Sequence, residues 1–131
     1  MVFVGVNASM GVTVRSQVRI RCKAPMSPKI TVMLMERDLG GSPFDEDDTL
    51  DFGEYYIGSV PEQRLVLEGK DFEFTGLEPY LFIYHSCTNQ TNTWSRLEVD
   101  LMEYMYKSKF FDVVIDLDTM KHVIKDKDLK A

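Results

Sequence analysis

The chain has little of what most small-domain chemistry is built from. It contains two histidines, two cysteines and one tryptophan in 131 residues. A metal role for His85 would need partners, and the only other histidine is His122. Neither a Gly-rich phosphate loop nor a Cys-x-x-Cys pair is present. No apolar run approaches the roughly 20 residues that a membrane-spanning helix needs. The opening Met1-Val2-Phe3-Val4-Gly5-Val6 is apolar, but it lacks a basic n-region and is too short for a secretion signal. Basic residues are also in deficit, 15 against 21 acids, for a net charge of −6. This argues against nonspecific nucleic-acid binding, which needs a basic surface to displace counterions. An aromatic-plus-basic platform for single strands is not evident either.

What is present is period-two alternation. A length of 131 residues suits one domain with one core, and 44% hydrophobic with 27% charged residues is ordinary for a globular chain. From Val12, the residues Val12, Val14, Val18, Ile20 and Cys22 fall on one side of a strand, with Thr13, Arg15, Gln17, Arg19 and Arg21 on the other. Ile30, Val32 and Leu34 alternate with Thr31, Met33 and Met35. Arg64–Leu67 and Phe72–Phe74 read as two shorter strands separated by Glu68-Gly69-Lys70-Asp71. Leu81, Ile83 and Cys87 share a face, as do Leu97, Val99 and Leu101, and Phe111, Val113, Ile115 and Leu117. About seven to eight strands at this spacing predict an all-β fold, an antiparallel sandwich or open barrel. The sandwich is expected over 12–120, after an N-terminal extension, 1–11, and before a charged tail, 121–131, that frays. Met102 to Lys107 is the one helical candidate.

Both cysteines fall on apolar strand faces far apart in sequence. They read either as a disulfide clamping two strands or as two buried free thiols. A Cys22–Cys87 bond would close a loop of about 65 residues, worth about 4 kcal/mol on the chain-entropy model, a large share of a small domain's stability.

The two cysteine strands, Val18-Arg19-Ile20-Arg21-Cys22 and Ile83-Tyr84-His85-Ser86-Cys87, resemble those of the transthyretin-like family of secreted nematode proteins. The resemblance extends to Asp47-Asp48-Thr49-Leu50 and to the strand beginning Phe111-Asp112, and it spans roughly Val12 to Met120. The turn Lys23-Ala24-Pro25-Met26-Ser27-Pro28 departs from the family's Asn-Gly-Lys-Pro-like turn, and further cysteines common in the family are absent. The resemblance implies a secreted, non-enzymatic sandwich. Sequons at Asn7 and Asn89 permit glycosylation on that route. The related hydroxyisourate hydrolases end in Tyr-Arg-Gly-Ser, whereas this chain ends Lys127-Asp128-Leu129-Lys130-Ala131, so that activity is not expected.

The most unusual surface stretch is Asp45–Glu54, with six acids and no base. Such a run repels itself unless a cation or basic partner joins it. Asp45, Glu46, Asp47, Asp48 and Asp51 are therefore the expected ligands of a calcium ion, although Leu50 stands where an EF-hand loop requires glycine. Phe44 and Phe52 flank the acids and could enter a headgroup layer; a solvated acidic loop is the plainer reading. Arg15, Arg19 and Arg21 form an outward stripe suited to phosphates, or to the protection of an edge strand. His85 and Ser86 point to opposite faces and cannot act as a base–nucleophile pair; His85 reads as structural. Outward Met33 and Met35 offer an adaptable surface for a partner or a homodimer mate.

The resemblance implies one concrete function: a bridge that recognises phosphatidylserine on dying cells and presents them to a phagocyte engulfment receptor. A chain of charge −6 meets an anionic phospholipid surface only through a cation bridge or a concentrated basic patch, and the density of acids favours the bridge. The alternatives are a carrier of a small hydrophobic ligand or lipid and a soluble receptor ligand.

Overall fold

The computed structural model describes residues 11–23, 27–37, 47–58, 63–71, 76–87 and 94–129. Its strands are β1 (Val12–Arg21), β2 (Lys29–Glu36), β3 (Asp48–Tyr56), β4 (Leu65–Asp71), β5 (Pro79–His85), β6 (Ser95–Asp100), β7 (Lys109–Asp116) and β8 (Lys121–Asp128). They form two four-stranded sheets, in the orders β4-β1-β7-β8 and β3-β2-β5-β6. The fold is thus an open sandwich rather than a barrel. Every neighbouring pair is antiparallel except β1 and β7, which run parallel from Val14↔Lys109 to Arg21↔Asp116.

Alternation decides which side of each strand enters the core. Val14, Val18 and Ile20 of β1 are buried with Phe111, Val113 and Ile115 of β7. Ile30, Val32 and Leu34 of β2 meet them from the other sheet with Leu81 and Ile83 of β5. Each fully buried Leu or Ile contributes about 1.5–3 kcal/mol. The two sheets approach most closely along β3 and β4. A Cβ at Gly69 would lie 2.4 Å from the Cβ of Leu50, and one at Gly53 would lie 2.8 Å from Leu65. Glycine at these two places is what lets the layers touch.

Four expectations are corrected. Leu65–Asp71 is one continuous strand, so Gly69 and Lys70 extend it rather than end it; Phe72–Phe74 lies outside the described residues. Met102–Lys107 is not helical. Tyr104 has φ 50°, and Met105 exchanges two backbone hydrogen bonds with Leu77 (2.7 and 2.9 Å). The stretch from Lys121 is the eighth strand, so the sandwich continues to Asp128. A hairpin turn begins it: the Asp116 carboxylate accepts the backbone N–H groups of Asp118 and Thr119. Lys109 then pairs with Asp126 and Asp128 at 2.8 and 3.0 Å. Alternating Lys and Asp is the composition of a charge-protected edge strand. Finally, β1 is an inner strand, flanked by β7 and, as far as Val18, by β4, so Arg15 protects no edge.

Cys22, just past β1, and Cys87, just past β5, are joined by a disulfide of 2.00 Å across the two sheets. Asp118 approaches Cys87 Sγ to 3.5 Å. A disulfide sulfur carries no proton, so this is a contact, not a hydrogen bond. Reducing the bond, or replacing both residues by Ala, should lower unfolding stability by about 4 kcal/mol on the chain-entropy model. Urea unfolding of the oxidised and reduced protein checks this. A loss below about 1 kcal/mol would mean that the sheets hold this end together without the covalent link.

Candidate functional site

Among the described members of the expected acidic ligand set, Asp47, Asp48 and Asp51 do not gather into one cluster. Asp45, Glu46 and Phe44 lie outside the described residues, as do the sequon residues Asn7 and Asn89. The Asp47 carboxylate accepts the Tyr80 hydroxyl at 2.6 Å. Burial and that carboxylate both raise the Tyr80 phenol above its ordinary range. Asp51 accepts two backbone N–H groups, from Phe52 at 2.8 Å and Glu68 at 2.9 Å, and so stitches β3 to β4. Asp48 instead faces Glu36, its partner across the β2–β3 ladder. With Asp71 these two offer carboxylate oxygens within 4.8 Å of one another. Glu36 and Asp71 were not legible as site residues, because only the strand register brings them to Asp48. They are the described residues best placed to hold a hard cation.

The arginine stripe is also divided. Arg15 pairs with Glu68, its cross-strand partner, at 2.7 Å. Arg19 pairs with Asp112 of β7 at 3.3 Å. Exposed pairs of this kind add about 0–1 kcal/mol each; their effect here is to cancel charge locally. Arg21 makes no ion pair or side-chain hydrogen bond among the described residues, and neither does Arg64. These two meet at one place. The β1–β4 ladder runs only to Val18↔Leu65, and β1 continues for three more residues. A cavity of about 280 Å³ opens there, lined by Arg19, Arg21 and Arg64 with Gln63, Tyr55 and Val114. Gln63 is fixed in place: its backbone carbonyl accepts the Tyr55 hydroxyl (3.1 Å), and its side-chain oxygen accepts the Tyr56 N–H (2.9 Å). A neighbouring cavity of about 540 Å³ shares Arg21 and Tyr55 and adds Lys23, Asp116 and Asp118.

A second surface is aromatic. On the outer face of the β3-β2-β5-β6 sheet, Met33 stands between Phe52 and Phe82 in register, with Glu98 beyond. Phe52 is 69% exposed. In the adjacent row Tyr84 stacks on Trp94, with centroids 4.9 Å apart and planes 6° from parallel. Arg37 closes one end of this face: it lies 4.0 Å from the Tyr80 ring centroid and bridges Glu98 and Asp100. Phe52 is therefore exposed, as expected, but on a strand within a sheet face rather than at a loop tip. Met33 and Met35 are half-buried there, and Met35 Sδ accepts the Thr49 hydroxyl at 3.3 Å.

His85 is structural. It is fully buried, and its Nδ1 accepts the Cys87 backbone N–H at 3.0 Å. Nε2 therefore carries the proton of the neutral ring. Ser86 is likewise committed to the backbone, accepting from Ser27 N at 2.8 Å.

Two antiparallel-rich sheets clamped by one disulfide, with an arginine-lined cavity at one end and an aromatic outer face, describe a β-sandwich. A curated protein of Caenorhabditis elegans, Transthyretin-like protein 2, is 32% identical to the chain over 94 residues, which cover 66% of the chain and 61% of that protein. The chain is thus similar in sequence to a transthyretin-like protein. It spans less than two thirds of the relative's length. No family model matches it, and no solved structure does.

Burial lowers the His85 pKa below its ordinary value. The unfolded chain then takes up a proton near pH 6.5, where the folded chain resists it. The stability that depends on the neutral ring is complete above about pH 6.5 and is lost as pH falls below it. The urea midpoint should therefore drop between pH 7 and pH 5. His85→Asn, which keeps an acceptor near Nδ1, should flatten that drop. An identical pH slope in the variant would contradict the assignment.

Proposed function

We propose that this chain is a secreted, non-enzymatic binding protein that bridges a phosphatidylserine-bearing cell surface to a receptor on a phagocyte. The observation that carries the reading is the outer face of the β3-β2-β5-β6 sheet. Phe52, Met33, Phe82 and the Tyr84–Trp94 stack form an aromatic surface across neighbouring strands. An apolar patch of that kind on a soluble domain marks an interaction site, and aromatic residues and Met are enriched in protein interfaces. It supports the receptor-binding half of the bridge.

For the lipid-binding half, charge placement matters more than total charge. The net charge of −6 disfavours approach to an anionic bilayer over about a Debye length. The two ends of the sandwich differ, however. Glu36, Asp48 and Asp71 gather at one end. At the other, Arg21 and Arg64 line one cavity with Arg19. Turning the arginine end toward the membrane lowers the electrostatic cost, and calcium at Glu36, Asp48 and Asp71 is the competing route. The Cys22–Cys87 disulfide is compatible with the oxidising compartment this function requires.

Sedimentation with vesicles separates these routes. Pelleting with phosphatidylserine vesicles but not phosphatidylcholine vesicles is expected, and it should persist in chelator. If pelleting requires calcium and is lost in Asp48→Asn, the acidic end is the membrane-binding end. No pelleting under any condition overturns the bridging reading and leaves a soluble receptor ligand.

A further inference from the structure

We propose that the groove beside the last three residues of β1 is a phosphate-binding site, with Arg64 and Arg21 as its ligating residues and Arg19 in its wall. The proposal deepens the membrane-bridging reading and rests on it for the source of the phosphate, a phospholipid headgroup. The chemistry of the groove is the same for a free phosphate.

Three observations converge. The first is position: β4 stops pairing with β1 at Val18↔Leu65, so Arg19–Arg21 have β7 on one side and an open cavity on the other. The second is charge. Three arginines line a space of about 280 Å³, and no Asp or Glu does so among the described residues. Arg15, Arg19 and Arg37 each hold a carboxylate, whereas Arg21 and Arg64 hold none among the described residues. Like charges gathered in a cleft with low-dielectric walls focus their field and attract an anion. Guanidinium groups match phosphate in shape and bind it with paired, charge-assisted hydrogen bonds.

The third is preorganisation. Arg64 follows Gln63, which is bonded to Tyr55 and Tyr56 through both its backbone and its side chain. Arg21 precedes the disulfide residue Cys22, and its carbonyl accepts the Leu117 N–H at 2.9 Å. Both cationic side chains thus grow from backbone that is already fixed, which reduces the ordering cost of binding. The nearby acids are committed elsewhere. Asp112 holds Arg19, Asp116 caps the β7–β8 turn, and Asp118 accepts the Lys23 backbone N–H at 3.1 Å. Their charges keep this end from being a general polyanion surface and confine the attraction to the groove.

The test follows the arginine Nε–H signals of the oxidised full chain by NMR during titration with inorganic phosphate, and then with phosphatidylserine vesicles in a sedimentation arm. Saturable shifts of the Arg64 and Arg21 signals are expected. Arg64→Gln should weaken phosphate binding about tenfold or more, the loss that follows from removing one charge-assisted contact. Arg15→Gln, whose side chain is paired with Glu68, should bind as the native chain does. No saturable shift overturns the site, and so does an equal loss in Arg15→Gln and Arg64→Gln. Arg64-dependent phosphate binding without vesicle pelleting upholds the groove, makes its ligand a soluble phosphate compound and sinks the bridging reading. Vesicle pelleting that Arg64→Gln leaves intact does the reverse: bridging stands and the groove assignment falls.

Discussion

The constraint on which the rest of the structure depends is the covalent link between the sheets at Cys22 and Cys87. Hydrophobic packing would bring the two layers together without fixing how their ends meet. The disulfide does that, at a sequence separation of 65 residues. Around it several polar groups of the described residues are committed to local partners. His85 accepts the Cys87 N–H, Ser86 binds Ser27, Asp118 takes the Lys23 N–H, and Leu117 donates to Arg21. Arg21, one residue before the clamp, is held in place by these bonds and forms no ion pair among the described residues. The end of the sandwich that carries the covalent clamp is also the end where Arg21 and Arg64 form no ion pair among the described residues, and the proposed phosphate site rests on this combination.

The acidic run follows a different logic. Six acids in ten residues look in sequence like one cation-binding loop. The described part is mainly strand, and strands separate consecutive residues onto opposite faces. Asp47 goes to Tyr80, Asp51 to the backbone of Glu68, and Asp48 to Glu36 and Asp71. Among the described residues, density in sequence therefore did not become density in space. The carboxylates that do gather come from three strands or their ends.

Much of the architecture could be read beforehand, because period-two alternation depends on local sequence. It placed Val14, Val18, Ile20, Leu81, Ile83 and Cys87 in the core, where they are buried, and it put both cysteines where a clamp could form. Its failures were of two kinds. At β4 and β8, Gly69 and the Lys–Asp alternation read as turn and tail, because their role is set by neighbours: Leu50 against Gly69, and Lys109 beside Asp126 and Asp128. At the candidate site, the arginines of β1 could be named, but Arg64 could not be joined to them. That junction exists only because the β1–β4 ladder ends at Leu65, and pairing lengths of distant strands leave no local signature. The aromatic face was half legible: outward Met33 was expected, whereas its row with Phe52 and Phe82 came from register.

If the Cys22–Cys87 clamp organises the arginine end, breaking it should weaken anion binding there. Inorganic phosphate is titrated by calorimetry into the oxidised chain and into the reduced chain, under conditions where circular dichroism shows both sheets intact. If the clamp holds Arg21 and Arg64 in register, the oxidised chain binds phosphate saturably and reduction weakens binding severalfold. Equal affinity in the two forms would contradict the account, because the arginine end would then be organised without the disulfide.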